Sequence, residues 1–127
     1  MTQVTVTELD LNNLSAAGLK VLKAALKYAC DHADVKCHEL SLDAFRRLAG
    51  IGEFSVGEAK RLLGEAQRVV VSMEVVDTES RTSQDGQFFS SPMLGLIAAT
   101  SSSVVFEVDD EVLHYSILEK VFALGKR

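Results

Sequence analysis

The chain has 127 residues and a formal net charge of −5, with 47% hydrophobic and 24% charged residues. This size and balance predict one globular domain over residues 1–127 with a single hydrophobic core, and they exclude a disordered chain. The negative charge argues against a protein that coats nucleic acid through electrostatics alone, because such affinity comes from cations that meet phosphates.

No apolar run approaches the roughly 20 residues that span a bilayer, and the polar start MTQVTVTELD does not resemble a signal peptide. These patterns predict a cytoplasmic protein without a membrane partner. The chain contains two cysteines, too few for a disulfide scaffold, so both are expected to be reduced thiols.

The first elements in chain order are an extended segment and a helix. Residues 2–8 alternate Val with polar residues, which is typical of a short strand or an extended arm. Ser15 suits an N-cap, and the apolar spacing after it predicts an amphipathic helix over 16–31. Three lysines lie on its other faces: Lys20, Lys23 and Lys27. We interpret these lysines as a solvated surface, with phosphate contact as the alternative.

A group of possible metal ligands follows this helix, formed by Cys30, His32, Cys37 and His38. Thiolate and imidazole are zinc ligands, but the C-x-H-x4-C-H spacing matches no zinc pattern. We therefore interpret Cys30 as a small hydrophobe and the two histidines as loop residues, and we expect no metal and no cofactor.

The middle of the chain predicts a helix-turn-helix over residues 41–71. Ser41 can cap a helix that ends at Gly50, with an inward face formed by Leu42, Phe45, Leu48 and Ala49. Ser55 and Glu58 then form an S-x-x-E capping box, so a second helix is expected to begin directly after Ser55.

The composition changes to β-branched residues at Val69, which predicts wing strands over about residues 72–108. Asp85-Gly86 indicates a turn and places Arg81 near a hairpin tip, while Pro92 confines its segment to an edge. In the last strand the alternate residues Val104, Phe106 and Val108 are expected to share one face.

Asp109 can cap a final helix over about residues 110–124. Its apolar stripe is wide, and we assign part of it to a dimer interface: Leu113, Ile117, Leu118, Val121 and Phe122. The alternative, equally weighted, is that this stripe docks on the first helix inside the same core.

The outward face of the second helix in the helix-turn-helix is the candidate nucleic-acid contact. Residues 42–71 carry five Lys or Arg against four acids, the only positive balance in the chain. The candidate residues that can contact phosphates or base edges are Arg46, Arg47, Ser55, Lys60, Arg61, Gln67, Arg68 and Arg81. No catalytic constellation accompanies them, so an enzyme is not expected.

Three stretches resemble the plasmid replication initiator proteins of the Rep family. LSAAGLKVLKAALKYA resembles the first helix of that family, and ELSLDAFRRLAGI with SVGEAKRLLGEAQRVV resembles its helix-turn-helix. FFSSPMLGLIAATSSSVVFEVDDEVLHYSI resembles its strand pair and following helix. The resemblance implies an N-terminal winged-helix half that dimerises and assists binding to repeated origin sites in double-stranded DNA.

The expected fold class is therefore α+β, a winged helix-turn-helix whose helices pack on a small antiparallel β-sheet. The second winged helix of that family is missing after Arg127, so the chain is expected to be either an excised domain or a small relative that kept only the dimerising module. The end at Gly125-Lys-Arg127, directly after an apolar helix, favours the excised domain. Its expected partners are double-stranded DNA and either a second copy or a following winged-helix domain. A small transcriptional regulator and a protein-interaction module of the same fold are the alternatives.

Overall fold

The computed structural model describes residues 2–11, 14–77, 87–113 and 115–124. The described part of the chain contains four α-helices: α1 (Ala16–Asp31), α2 (Leu42–Ala49), α3 (Val56–Gln67) and α4 (Tyr115–Ala123). It contains six strands: β1 (Thr2–Asp10), β2 (Cys37–Ser41), β3 (Val70–Asp77), β4 (Gln87–Pro92), β5 (Ile97–Ala99) and β6 (Ser103–Glu107). A 3-10 turn at Asp110–Leu113 precedes α4.

The strands form two antiparallel three-stranded sheets, with orders β1-β3-β4 and β2-β6-β5. The α+β class is confirmed, but the prediction of one small sheet is wrong. β1 runs beside β3 from Thr2 opposite Asp77 to Asp10 opposite Val70. Because β1 and β4 occupy both edges of β3, the later strands β5 and β6 pair with β2 instead.

Serine hydroxyls start the three N-terminal helices. Ser15 accepts from the amide of Gly18 at 3.0 Å, Ser41 from that of Ala44 at 3.0 Å, and Ser55 from that of Glu58 at 3.2 Å. Such caps typically contribute about 1 kcal/mol each. Gly50 ends α2 in the left-handed region at a φ of 72°, where a side chain would be strained. The predicted helix starts and the predicted end at Gly50 are therefore confirmed.

The core lies where α1 and α3 meet and where both sheets close over them. The largest buried side chains include Leu22, Leu26, Phe45, Leu62, Leu63 and Phe106. Val104, Phe106 and Val108 are buried together on one face of the β6 segment, as the alternation predicted. Leu48 is exposed rather than inward, because the short α2 buries only Phe45 and Ala49.

The final helix differs from its prediction in both extent and burial. The expected helix over 110–124 is divided into the 3-10 turn and α4. Ile117 and Val121 are 1% and 0% exposed within the single chain, so they belong to its core and are not surface available to a second copy. Leu113, Leu118 and Phe122 are half-buried against the same core. α4 contacts α1 and β1, which agrees with docking inside the domain.

The end of α4 is also joined to α1 through a polar contact. The ammonium of Lys23 donates to the carbonyl of Leu124, so this lysine is not part of a purely solvated stripe. No helix within the described residues is both long and apolar enough to cross a membrane.

Candidate nucleic-acid interface

The exposed side of α3 is the centre of the candidate interface. Ala59, Leu62, Leu63 and Ala66 are buried, which turns the opposite side of the helix outward. Gly57, Lys60, Arg61 and Arg68 are exposed, while Gly64 and Gln67 are half-buried. A Cβ added at Gly64 would meet no atom within 4 Å, so another molecule can approach the helix backbone closely there.

Arg61 is held between two carboxylates of its own helix. Its guanidinium lies 2.8 Å from Glu58 and 3.0 Å from Glu65, one turn away on each side. Glu58 therefore binds Arg61 with its carboxylate, while its amide binds the Ser55 hydroxyl. The positive charge of Arg61 is largely neutralised locally, which weakens it as a phosphate contact.

The two arginines of α2 share one acid. Arg46 lies 2.8 Å and Arg47 3.0 Å from the carboxylate of Asp43. The hydrogen bond from Arg46, helped by both positive charges, lowers the pKa of Asp43 below its ordinary value. Arg46 also donates to the carbonyls of Ile51 and Gly52 at 3.2 and 3.4 Å. Arg46 therefore holds the turn of the helix-turn-helix, while Arg47 remains largely exposed.

Two other candidate contacts are engaged within the chain. The side-chain amide of Gln67 donates to the carbonyl of Gly95, which joins α3 to the segment before β5. The hydroxyl of Ser55 caps α3. Arg81 lies outside the described residues. These bonds leave Gln67 and Ser55 as structural groups in the unbound chain.

Lys60 and Arg68 are the cations of this face without a close carboxylate. Within the described residues neither forms an ion pair, although Arg68 acts at longer range to lower the pKa of Glu65. Lys60 lines an open cleft of about 320 Å³ together with Leu63, Ile97, Ala98 and Ala99. Through this cleft the exposed side of α3 adjoins the β5–β6 hairpin (97–107).

The β5–β6 hairpin is the element that sequence reasoning missed as a neighbour of α3. Its tip is ordered by Thr100, whose amide donates to the Ser103 carbonyl at 2.8 Å. The Thr100 hydroxyl oxygen also accepts from the amides of Ser102 and Ser103 at 3.2 and 3.0 Å. The run Thr100-Ser-Ser-Ser103 was the available signal for this turn, but Asp85-Gly86 was the stronger turn pattern.

The cysteine and histidine group lies at the end of α1 and on β2. Cys30 and Cys37 are free thiols, and burial, followed by the nearby Asp31, raises the pKa of the Cys30 thiol. His32 is exposed at the end of α1, with its Nδ1 2.9 Å from the Tyr28 carbonyl. Across the described residues no three His, Cys, Asp or Glu side chains come together as a metal site.

His38 corrects its prediction as a loop residue. It lies on β2 and is 2% exposed, because its side chain faces the core between α1 and β6.

The observed geometry thus brings together the exposed backbone of α3, two cations and the β5–β6 hairpin. It does not bring together all the predicted DNA contacts as free groups, since Arg46, Arg61 and Gln67 bind their own chain. Comparison of the chain with protein-family models, curated proteins and solved structures gives no match.

Proposed function

We propose that this chain is a winged-helix domain that binds double-stranded DNA through α3 and the β5–β6 hairpin. The supporting topology is the order α1, β2, α2, α3, β5 and β6, in which β2 pairs with β6 and β6 with β5. A winged helix has this order, with the hairpin beside the recognition helix. In this interpretation β3 and β4 are inserted between α3 and the wing, and they form an additional sheet with the N-terminal strand β1.

The observation that carries the proposal is the open face of α3 beside the cleft. A helix can enter the major groove of B-DNA, where close approach favours small side chains on the leading face. Gly57 and Gly64 provide such positions, and Lys60 and Arg68 provide cations that meet phosphates. Arg47 and the exposed hairpin tip can contact the backbone on either side.

The electrostatics predict weak binding. Two or three phosphate contacts give a plot of log K against log salt concentration with a slope of roughly −2 to −3. A net charge of −5 opposes this attraction at longer range. The role that fits is an assisting module in a replication-initiator-like protein, with sequence reading supplied by another domain. A small transcriptional regulator uses the same contacts and differs in its DNA site.

Fluorescence anisotropy with a labelled duplex of about 30 base pairs tests this proposal. Lys60→Ala combined with Arg68→Ala is expected to weaken binding and to make the salt slope shallower by about 2. The matched control is Lys20→Ala with Lys27→Ala, which removes two exposed lysines from α1. Equal losses in both double variants, or no loss in the first, would reject α3 as the contact.

A second candidate function, a protein-interaction module, is favoured by the edge strand β4. Phe88 and Phe89 are 68% and 45% exposed on this strand, whose residues carry no charge. An uncharged edge strand with exposed aromatic side chains favours pairing with a strand of another chain. Sedimentation of the chain over a range of concentrations, repeated with Phe88→Lys, tests whether this edge associates. If the chain is a monomer at all concentrations, association through this edge is rejected and DNA binding remains as the proposed function.

A further inference from the structure

His38 is a buried titratable group that DNA binding does not use. Its ring lies between Tyr28 of α1 and Phe106 of β6, with ring centroids 5.5 and 5.3 Å away. Neither ring nitrogen has a hydrogen-bond partner among the described residues. A neutral imidazole has one donor and one acceptor, so both of its polar groups are buried without compensation.

Protonation makes this environment much less favourable. An imidazolium ion carries two donors and a full charge, and its transfer from water into an apolar site is far more costly than that of the neutral ring. The aromatic rings around His38 provide no carboxylate to receive the charge. The folded chain therefore favours the neutral form.

The titratable groups that act on His38, His32 and Asp34, lie in the segment that links α1 to β2. Burial is the main cause that lowers the pKa of His38, and His32 lowers it further. Asp34 acts in the opposite direction but does not reverse the shift. His32 stacks on Tyr28 with ring centroids 4.0 Å apart, so two histidines pack against one tyrosine ring.

We propose that His38 is a pH-sensitive latch that holds β2 against α1 when neutral and releases it when protonated. Among the described strands β2 pairs with β6 alone and forms one edge of its sheet, so it can detach without disrupting the β1-β3-β4 sheet. Ser41 is both the last residue of β2 and the cap of α2. Release of β2 therefore also loosens the start of the helix-turn-helix.

The direction of the pH effect follows from proton linkage. Because the folded pKa of His38 lies below the ordinary value of about 6.5, the opened state takes up the proton first. The closed state is most favoured above about pH 6.5. Below this pH the opening equilibrium constant rises by up to about tenfold per pH unit, until the pH passes the folded pKa.

Two measurements on the full chain test the latch. The chain has three histidines, so an NMR titration of the ring nitrogens between pH 4.5 and 8 resolves His38 from His32 and His114. We expect the His38 ring to titrate below the ordinary histidine value of about 6.5. Amide hydrogen exchange, corrected for intrinsic rates, is expected to show β2 losing protection up to about tenfold per pH unit below 6.5, while β3 changes little.

His38→Phe replaces the imidazole by a ring that cannot be protonated, and it is expected to remove the pH dependence of β2 exchange. His32→Gln is the matched control and should retain most of it. A His38 ring that titrates at or above pH 6.5 would overturn the proposal, as would β2 protection that is independent of pH. If His38→Phe does not fold, the ring titration and exchange of the unmodified chain decide the question.

Discussion

Gly18 makes possible a contact between α1 and α3 that a single methyl group would disturb. A Cβ at this position would lie 2.6 Å from Oε1 of Glu65 and 3.0 Å from a methyl group of Leu14. The same carboxylate oxygen accepts from the amide of Ser15 at 2.8 Å and from its hydroxyl at 2.7 Å. Gly18→Ala therefore requires the Glu65 carboxylate to move away from the N-terminus of α1.

The expected net effect is a destabilisation of about 1 to 2 kcal/mol. Alanine favours a helix interior over glycine by about 1 kcal/mol. Against this, hydrogen bonds to a charged acceptor contribute about 1.5 to 3 kcal/mol each. The contribution of each bond from Ser15 is at the lower end of the range of about 1.5 to 3 kcal/mol, because Ser15 is exposed and water can replace part of the lost hydrogen bonding. Urea denaturation at neutral pH measures the difference.

A double-mutant cycle separates the lost contact from the gain in helix propensity. In a Glu65→Ala background the contact with the carboxylate disappears, and the flexible Leu14 side chain can move aside from the remaining 3.0 Å approach. Gly18→Ala is therefore expected to become stabilising by about 0.5 to 1 kcal/mol. Gly64→Ala is the matched control, since its added methyl meets nothing and should stabilise the intact chain by a similar amount. If Gly18→Ala stabilises the otherwise unmodified chain, the Ser15–Glu65 contact contributes less than this reasoning requires.

Burial raises the pKa of Glu65, but the bonds from Ser15 and the charge of Arg61 outweigh it and leave the pKa below its ordinary value. The stabilisation that the Glu65 carboxylate contributes is thus complete above about pH 4.5 and is lost as the pH falls through the folded pKa. Acid titration should therefore show a smaller loss of stability in Glu65→Gln than in the unmodified chain. Arg46→Ala should lower the free energy of unfolding in urea denaturation by about 1 kcal/mol, because it removes the donor to the two turn carbonyls. Arg46→Lys should not restore this stability, since lysine lacks the planar guanidinium group. Val121→Glu should unfold the chain, as measured by circular dichroism, because it buries a charge. Leu118→Glu, at a half-buried position, should lower the free energy of unfolding by only about 1 to 3 kcal/mol. Equal effects of the two substitutions would contradict the difference in burial.

Local signals predicted the helices well and the sheets poorly. Ser15, Ser41, Ser55 and Gly50 act on backbone groups within a few residues, so their effects are visible in the sequence. The pairing of β1 with β3 joins segments at least 60 residues apart, from Asp10 opposite Val70 to Thr2 opposite Asp77. No short pattern reports that Thr2 lies opposite Asp77, and without that pairing the wing strands could not be assigned to the correct sheet.

The position of the candidate site on α3 was predicted from the sequence, but the pairing of its charged side chains was not. Periodicity placed Lys60, Arg61 and Arg68 on the outer side of α3, and the structure confirms that they are exposed. Whether a cation is paired depends on side-chain geometry, which the acids spaced three and four residues from Arg61 indicated only in part. The bond from Gln67 to Gly95 depends on tertiary packing and had no sequence signal.

In the proposed role of α3 as a DNA contact, the residues that stabilise this helix also reduce its positive charge. Glu58 and Glu65 support the helix through Arg61, and Glu65 also joins it to α1, but each removes positive potential from the exposed face. Two free cations supply little affinity at physiological salt, since each phosphate contact contributes only a fraction of the binding free energy. A second DNA-binding unit on the same duplex would raise the effective concentration of this face and make such contacts sufficient. A tethered pair should therefore bind far more tightly than the single domain, and Lys60→Ala should weaken both forms.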